Sequence, residues 1–212
     1  MNKQSQRRLY DVSTFYGMLD DLLGNFGEMR AVMKGKIINK GFTERVMLAV
    51  TQVNGCRYCS YFHTGEALKN GMSKAEVEAL LKGEFGDAPT DELVALLFAQ
   101  HYAETVGNPD RHAWQQVVDT YGPEKAKAIL TAIRVIMVGN LYGNMVDALR
   151  SRLTGKPFPD ATIGQETGIV FGTLVFMPVI AVQQYLAGLF NRKKQYAWET
   201  YEVSPASAGH FA

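Results

Sequence analysis

Glu44-Arg-Val-Met-Leu-Ala-Val-Thr-Gln-Val-Asn54-Gly55-Cys56-Arg-Tyr-Cys59-Ser-Tyr-Phe-His63 is the stretch on which the reading of this chain turns. Its apolar run, Val46 to Val50, is short enough for a strand, but the pattern around it is helical. Thr43 is a plausible N-cap for a helix from Glu44 to about Val53, and Asn54-Gly55 is a helix stop. A second helix then starts near Cys56 and runs to about Lys69, where Asn70-Gly71 ends it. Two helices on a glycine hinge, with both cysteines of the chain at the hinge, define an all-α fold with its chemistry at a helix N-terminus.

The same periodicity extends outward. Phe15, Met18, Leu19, Leu22, Leu23, Phe26 and Met29 recur at three- and four-residue spacing and predict an amphipathic helix over about 13–33. Ser73-x-x-Glu76 reads as a capping box opening a short helix to Lys82. Further helices are expected from about Asp91 to Thr105 and from Arg111 to Tyr121. Gly122-Pro123 places proline at the start of a long helix from about Glu124 to Arg152. Thr154-Gly-Lys-Pro-Phe-Pro159 terminates it. The chain therefore divides into a helical domain over 1–153, a linker over 154–166, an apolar helix over 167–191 and an irregular tail over 192–212.

Residues 167–191 contain no charge, and Arg192-Lys193-Lys194 follows at once. The length suffices for a bilayer span and the basic flank suits an interfacial anchor. Pro178, Gln183-Gln184, Gly168, Gly172 and Gly188 fit equally a helix buried at an oligomer interface. Both readings, membrane contact or oligomer arm, stand at this point. The polar N-terminus, without an apolar stretch after its charges, shows no signal peptide, so a cytoplasmic location is expected.

Composition narrows the function. Hydrophobic residues make up 47% of the 212 and charged residues 20%, an ordinary globular balance. A net charge of +1 offers no basic field, and no nucleic-acid partner is expected. Two cysteines do not make a secreted disulfide scaffold, whereas a close C-x-x-C pair points to redox or metal chemistry.

Cys56 falls at a helix N-terminus, where backbone N–H groups and the helix dipole favour a thiolate. Cys59 shares that field. His63, four residues on, lies on the same helical face and can take its proton. Glu44, on the preceding helix folded back, can orient His63. Such a set can reduce a peroxide through a sulfenic acid that the second cysteine resolves to a disulfide, or can exchange directly with a partner's disulfide. Three rivals are weaker. Zinc on Cys56, Cys59 and His63 lacks a second C-x-x-C or a second histidine pair. A c-type haem needs histidine where Ser60 stands. A thioredoxin module needs a strand before the pair. Two inert core cysteines beside a satisfied histidine is the bland alternative.

Other residues carry less. His101 reads as a boundary histidine of its helix, and His112 and His210 belong to no cluster. Glu66 can enter the relay but reads more simply as a surface glutamate. Tyr58 and Tyr61 flank the thiols as pocket or core aromatics. Met18, Met29, Met33, Met47, Met137 and Met145 read as core fillers.

With these residues in place, the chain resembles the alkylhydroperoxidase D-like members of the carboxymuconolactone decarboxylase superfamily. The resemblance rests on Glu44, the Asn54-Gly55-Cys56-x-x-Cys59 junction and His63, and spans about residues 15–153. It implies an all-α fold assembled as homo-oligomers, trimers or hexamers, with the site near subunit contacts. It implies thiol peroxidase or disulfide-reductase activity on a hydroperoxide substrate, an external thiol or dithiol reductant, and no metal or organic cofactor. By analogy Cys59 is the peroxide-reactive cysteine, Cys56 resolves, and His63 with Glu44 forms the proton relay. Some members carry histidine between the cysteines, where this chain has Tyr58. A redox adaptor that exchanges disulfides with a protein partner is the alternative from another class.

Overall fold

A computed structural model describes residues 7–189 and 196–201. Among them are nine α-helices and no strand: α1 (Val12–Leu23), α2 (Phe26–Met33), α3 (Lys40–Asn54), α4 (Arg57–Lys69), α5 (Lys74–Leu80), α6 (Leu93–Glu104), α7 (Arg111–Leu153), α8 (Ile163–Val170) and α9 (Thr173–Leu189). The fold is all-α, as the periodicity predicts.

α3 is the axis of the molecule, packed between α6 and α7 with α4 and α5 against it. Val46, Met47, Leu48, Ala49 and Val50 are all fully buried, so over this stretch the helix is apolar on every side. That is why its run resembles a strand: helical periodicity disappears when no face meets water. The core continues through Phe15 of α1, Leu96 of α6, and Ile129, Ile133, Met137, Leu141 and Met145 of α7.

Several boundaries differ from expectation for local reasons. α3 starts four residues before Glu44 because Asn39, not Thr43, is the N-cap: its side chain accepts from the Phe42 N–H at 2.8 Å. The Thr43 hydroxyl instead donates back to the Asn39 carbonyl at 3.0 Å. The single helix expected over 13–33 is two, parted at Gly24-Asn25, and Met33 is exposed rather than core. Ser73 caps α5, but Glu76 completes no box because Arg45 of α3 holds its carboxylate at 2.5 Å. In α7 the break before Pro123 falls where expected. Gly122 sits at φ 74°, ψ 161°, a conformation that glycine alone adopts readily.

The C-terminal region departs most from its reading. α8 begins at Ile163, inside the stretch expected as linker, under a complete Thr162/Gln165 capping box. Arg152 of α7 pins it with a two-pronged ion pair to the fully buried Glu166, at 2.6 and 2.9 Å. The apolar stretch then bends by 54° between α8 and α9. A β-carbon at Gly172 would lie 1.9 Å from the Gly168 carbonyl, so the bend demands glycine. α9 rests on α1 through Phe176, edge-on to Tyr16, through Tyr16 donating to Gln183 at 2.6 Å, and through Gln184 donating to Asp20 at 2.6 Å. Ile180 is its one buried residue, while Leu174, Tyr185 and Leu189 are 76%, 69% and 63% exposed. By length and composition the bent α8–α9 pair is long and apolar enough to cross a membrane. α7 passes the same test but is mostly buried in the core.

Part of the expected irregular tail is docked. Within 196–201, Trp198 packs against Trp114 and Tyr102, and Glu199 pairs with Arg134 and accepts from the Trp114 indole N–H through its carbonyl at 3.1 Å.

Candidate functional site

The site is the junction of α3 and α4. Gly55 adopts the left-handed conformation (φ 68°, ψ 25°) and its N–H returns to the Thr51 carbonyl at 2.9 Å, ending α3. Asn54, fully buried, fixes the turn from both sides. Its side-chain amide donates to the Met137 sulfur at 3.1 Å, and its side-chain oxygen accepts from the Tyr10 hydroxyl at 3.2 Å. Its carbonyl accepts from the Arg8 N–H at 3.1 Å and from the Asn144 amide at 2.9 Å. With every group of Asn54 engaged, the turn is held at a single angle.

Cys56 is the N-cap of α4, and its sulfur accepts from the Cys59 N–H at 3.2 Å. The two cysteines form a disulfide, with Cα atoms 5.3 Å apart. Cys56 is fully buried and Cys59 half-buried. One turn further, His63 Nδ1 meets Glu44 Oε2 at 2.7 Å, both residues under 10% exposed. The carboxylate assigns the Nδ1 proton, which leaves Nε2 as the nitrogen able to accept one. Phe62 stands edge-on to the imidazole, 5.1 Å between ring centres. The four residues singled out in the sequence are therefore brought together: two sulfurs, and an imidazole oriented by a carboxylate from the neighbouring helix.

The long helix α7 supplies what the sequence reading missed. A β-carbon at Gly143 would stand 2.7 Å from Cys56 Sγ and 3.4 Å from Cys59 Sγ, so the backbone of α7 is the wall behind the sulfurs. One turn before it, the fully buried Asn140 accepts from the Thr51 hydroxyl at 3.1 Å, and its side-chain N–H group has no partner. One turn after it, the buried Asp147 takes Arg7 at 2.9 Å and Arg57, and accepts from the Tyr58 hydroxyl at 3.3 Å. The signal existed: Asn140, Gly143, Asn144 and Asp147 form one stripe at helical spacing in the mostly apolar second half of the helix.

The remaining candidates fall elsewhere. Glu66 pairs with Lys69 at 2.7 Å on the surface, outside the relay. His101 Nε2 accepts from the Asp110 N–H at 2.9 Å and so ties the loop after α6. His112 lies in the first turn of α7, and His210 is outside the described residues. Tyr61 is 87% exposed. Among the described residues no group of three or more His, Cys, Asp or Glu side chains is arranged to hold a metal ion.

Residues 25–100 match the model of the carboxymuconolactone decarboxylase family. Comparison with curated proteins and with solved structures gave no match. The matched span holds Glu44, both cysteines and His63, whereas α7 and its Gly143 lie outside it. Over residues 25–100 the chain is thus similar to the carboxymuconolactone decarboxylase family, which falls within the alkylhydroperoxidase D-like superfamily, and its Cys56–Cys59 pair fits the C-x-x-C motif.

Proposed function

We propose that this protein is a thiol-dependent peroxidase that reduces organic hydroperoxides through the Cys56/Cys59 dithiol, with His63 and Glu44 as its proton relay. The observation that supports it is the pairing of a bonded C-x-x-C at a helix N-terminus with a buried imidazole–carboxylate pair one turn away. Redox chemistry needs both halves: sulfurs that exchange two electrons, and a base that moves the protons.

The cycle balances as follows. In the reduced protein His63 Nε2 takes the Cys59 thiol proton. The thiolate attacks one peroxide oxygen, the O–O bond breaks, and the alcohol leaves with a proton returned by His63. Cys59 is left as a sulfenic acid. The Cys56 thiol attacks that sulfur, forming the S–S bond and releasing water. An external dithiol returns two electrons and two protons by exchange through a mixed disulfide. Cys59 takes the first role because the residue is partly exposed while Cys56 is fully buried against α7.

Intact-mass measurement on reduced protein given one equivalent of an organic hydroperoxide tests this. Loss of two hydrogens, mapped to a Cys56–Cys59 bridge and reversed by dithiol, is expected. A mass that stays at the reduced value under excess peroxide overturns the reading. A second reading, a redox adaptor that passes electrons to a protein partner, draws on the exposed aromatics of α4: Tyr61 and Phe62 are 87% and 61% exposed beside the dithiol. Saturable disulfide exchange with a protein, without peroxide turnover, would favour it.

A further inference from the structure

A cleft of about 430 Å³ opens beside the dithiol, lined by Arg7, Arg57, Tyr58, Asp147, Arg150 and Phe158 among others. Arg57 and Tyr58 are the two residues between the cysteines, and Asp147 is one turn of α7 beyond Gly143, on which the sulfurs rest. The cleft therefore lies next to the dithiol along α7, sharing with it the Arg57-Tyr58 segment of the cysteine loop. At 1.5 Å of rise per residue, Asp147 and Arg150 lie about 6 and 10 Å along the helix from Gly143.

Its charge does not balance. Three guanidinium groups face one carboxylate. Asp147, only 2% exposed, is taken up by Arg7 and Arg57. The hydroxyls are also engaged, since Ser151 donates to the Lys156 carbonyl at 2.5 Å and Thr154 to the Ser151 carbonyl at 2.9 Å. Arg150 makes no ion pair among the described residues, and the Arg57 side chain remains 52% exposed. The free donors of the cleft are thus guanidinium N–H groups carrying an excess positive charge. Arginine's planar fork fits a carboxylate two-pronged. The apolar contribution comes from Phe158, under the Arg7 guanidinium at 4.7 Å.

We infer that this cleft binds the carboxylate of the small molecule on which the dithiol acts, holding a short acyl chain so that its far end reaches the sulfurs. The inference rests on the dithiol being a redox centre for a small hydroperoxide. It assigns the substrate class: hydroperoxides that carry a carboxylate several carbons from the O–O bond. Arg150 is the selecting residue, and Arg57 shares the anion between the cleft and the cysteine loop.

Two measurements separate this inference from the function beneath it. Hexanoate and methyl hexanoate are titrated calorimetrically into the oxidised protein and into Arg150→Gln, whose loss leaves no buried charge unpaired. Saturable binding of hexanoate is expected, weakened at least about tenfold by R150Q and equally by esterification, the scale of one charge-assisted pair. Hydroperoxyhexanoate and its methyl ester are then compared as substrates of the reduced protein. The acid is expected to be preferred by about tenfold in kcat/KM, and the preference should collapse toward unity in R150Q. Absence of Arg150-dependent hexanoate binding, or equal turnover of acid and ester, overturns the carboxylate site and leaves peroxidase activity standing. Arg150-dependent binding with no turnover of either peroxide overturns the peroxidase reading and the substrate class together. The anion site itself would survive that result.

Discussion

Gly143 and Cys56 are in backbone-to-sulfur contact: a β-carbon on Gly143 would stand 2.7 Å from Cys56 Sγ, closer than such atoms approach. The disulfide at the start of α4 thus lies directly against the α7 backbone at Gly143. Gly139, one turn earlier, is exposed and would place its β-carbon in ordinary contact, 3.9 Å from Ile136 Cδ1. Gly143→Ala is expected to cost about 1–3 kcal/mol by overpacking. Gly139→Ala should gain about 0.5–1 kcal/mol from helix propensity. Chemical denaturation of both variants, oxidised and reduced, checks the contrast, and equal effects would refute the contact.

In the proposed cycle Glu44 orients the base that hands protons to and from the sulfur, so Glu44→Gln should lower hydroperoxide kcat/KM by roughly 10²-fold, the scale of a general acid–base contribution. The pH profile should change shape with it. A fall in stability with an unaltered pH profile would assign Glu44 a structural role only.

Exposure separates the cysteines. In reduced protein, substoichiometric iodoacetamide should label Cys59 before Cys56, because Cys56 is fully buried and Cys59 is not. Cys59→Ser should abolish peroxide turnover. Cys56→Ser should allow a single turnover and leave a sulfenic acid on Cys59 that a dione reagent traps. The reverse pattern of labelling and trapping would exchange the two roles.

Glu92, 6% exposed, has its carboxyl pushed above its ordinary value of 4.5 by burial, with Asp91 and Glu76 adding to the shift and Arg45 opposing it. A raised folded-state pKa means that the native protein holds this proton more tightly than the unfolded chain. The penalty for ionising Glu92 is absent below about 4.5 and grows as pH rises through the folded value. The Tm of Glu92→Gln, which mimics the protonated form, should therefore gain on wild type as pH is raised from about 4 to 7. A gap that stays flat or narrows would show that the pair with Arg45, at 3.3 Å, outweighs burial.

On α9 one residue is anchored and many are not. Ile180→Ala should cost about 2–4 kcal/mol, as for other fully buried aliphatics. Leu174→Ala, at 76% exposure, should stay within about 0.5 kcal/mol of wild type. Thermal melts of the two variants test whether α9 is held as described.

Most of the secondary structure and the close placing of the four candidate groups, Glu44, Cys56, Cys59 and His63, were legible in the sequence. Cys56, Cys59 and His63 fall within two turns of one helix, so their spacing alone sets their geometry once Gly55 ends α3. Glu44 follows because a helix that folds back at Asn54-Gly55 returns one face to its neighbour. These are local relations, and local relations are written in the order of residues.

What only the tertiary structure decided comes from far along the chain. Gly143 and Asp147 lie more than eighty positions from the sulfurs, and Arg7 lies about fifty before them. Which face of α7 meets α4 depends on packing across α3, whose central run Val46–Val50 is buried on all sides and so carries no directional pattern to read. The same holds for α9: uniform apolarity announced a helix but not which face would be covered, and Tyr16, Asp20 and the bend at Gly172 decided that only Ile180 is buried. Sequence by itself determined the helices and the cysteine pair with the imidazole one turn on, because hydrogen bonds and spacings of a few residues fix them. Tertiary structure decided the wall behind the sulfurs and the arginine cleft beside them, because those depend on which helix faces pack together.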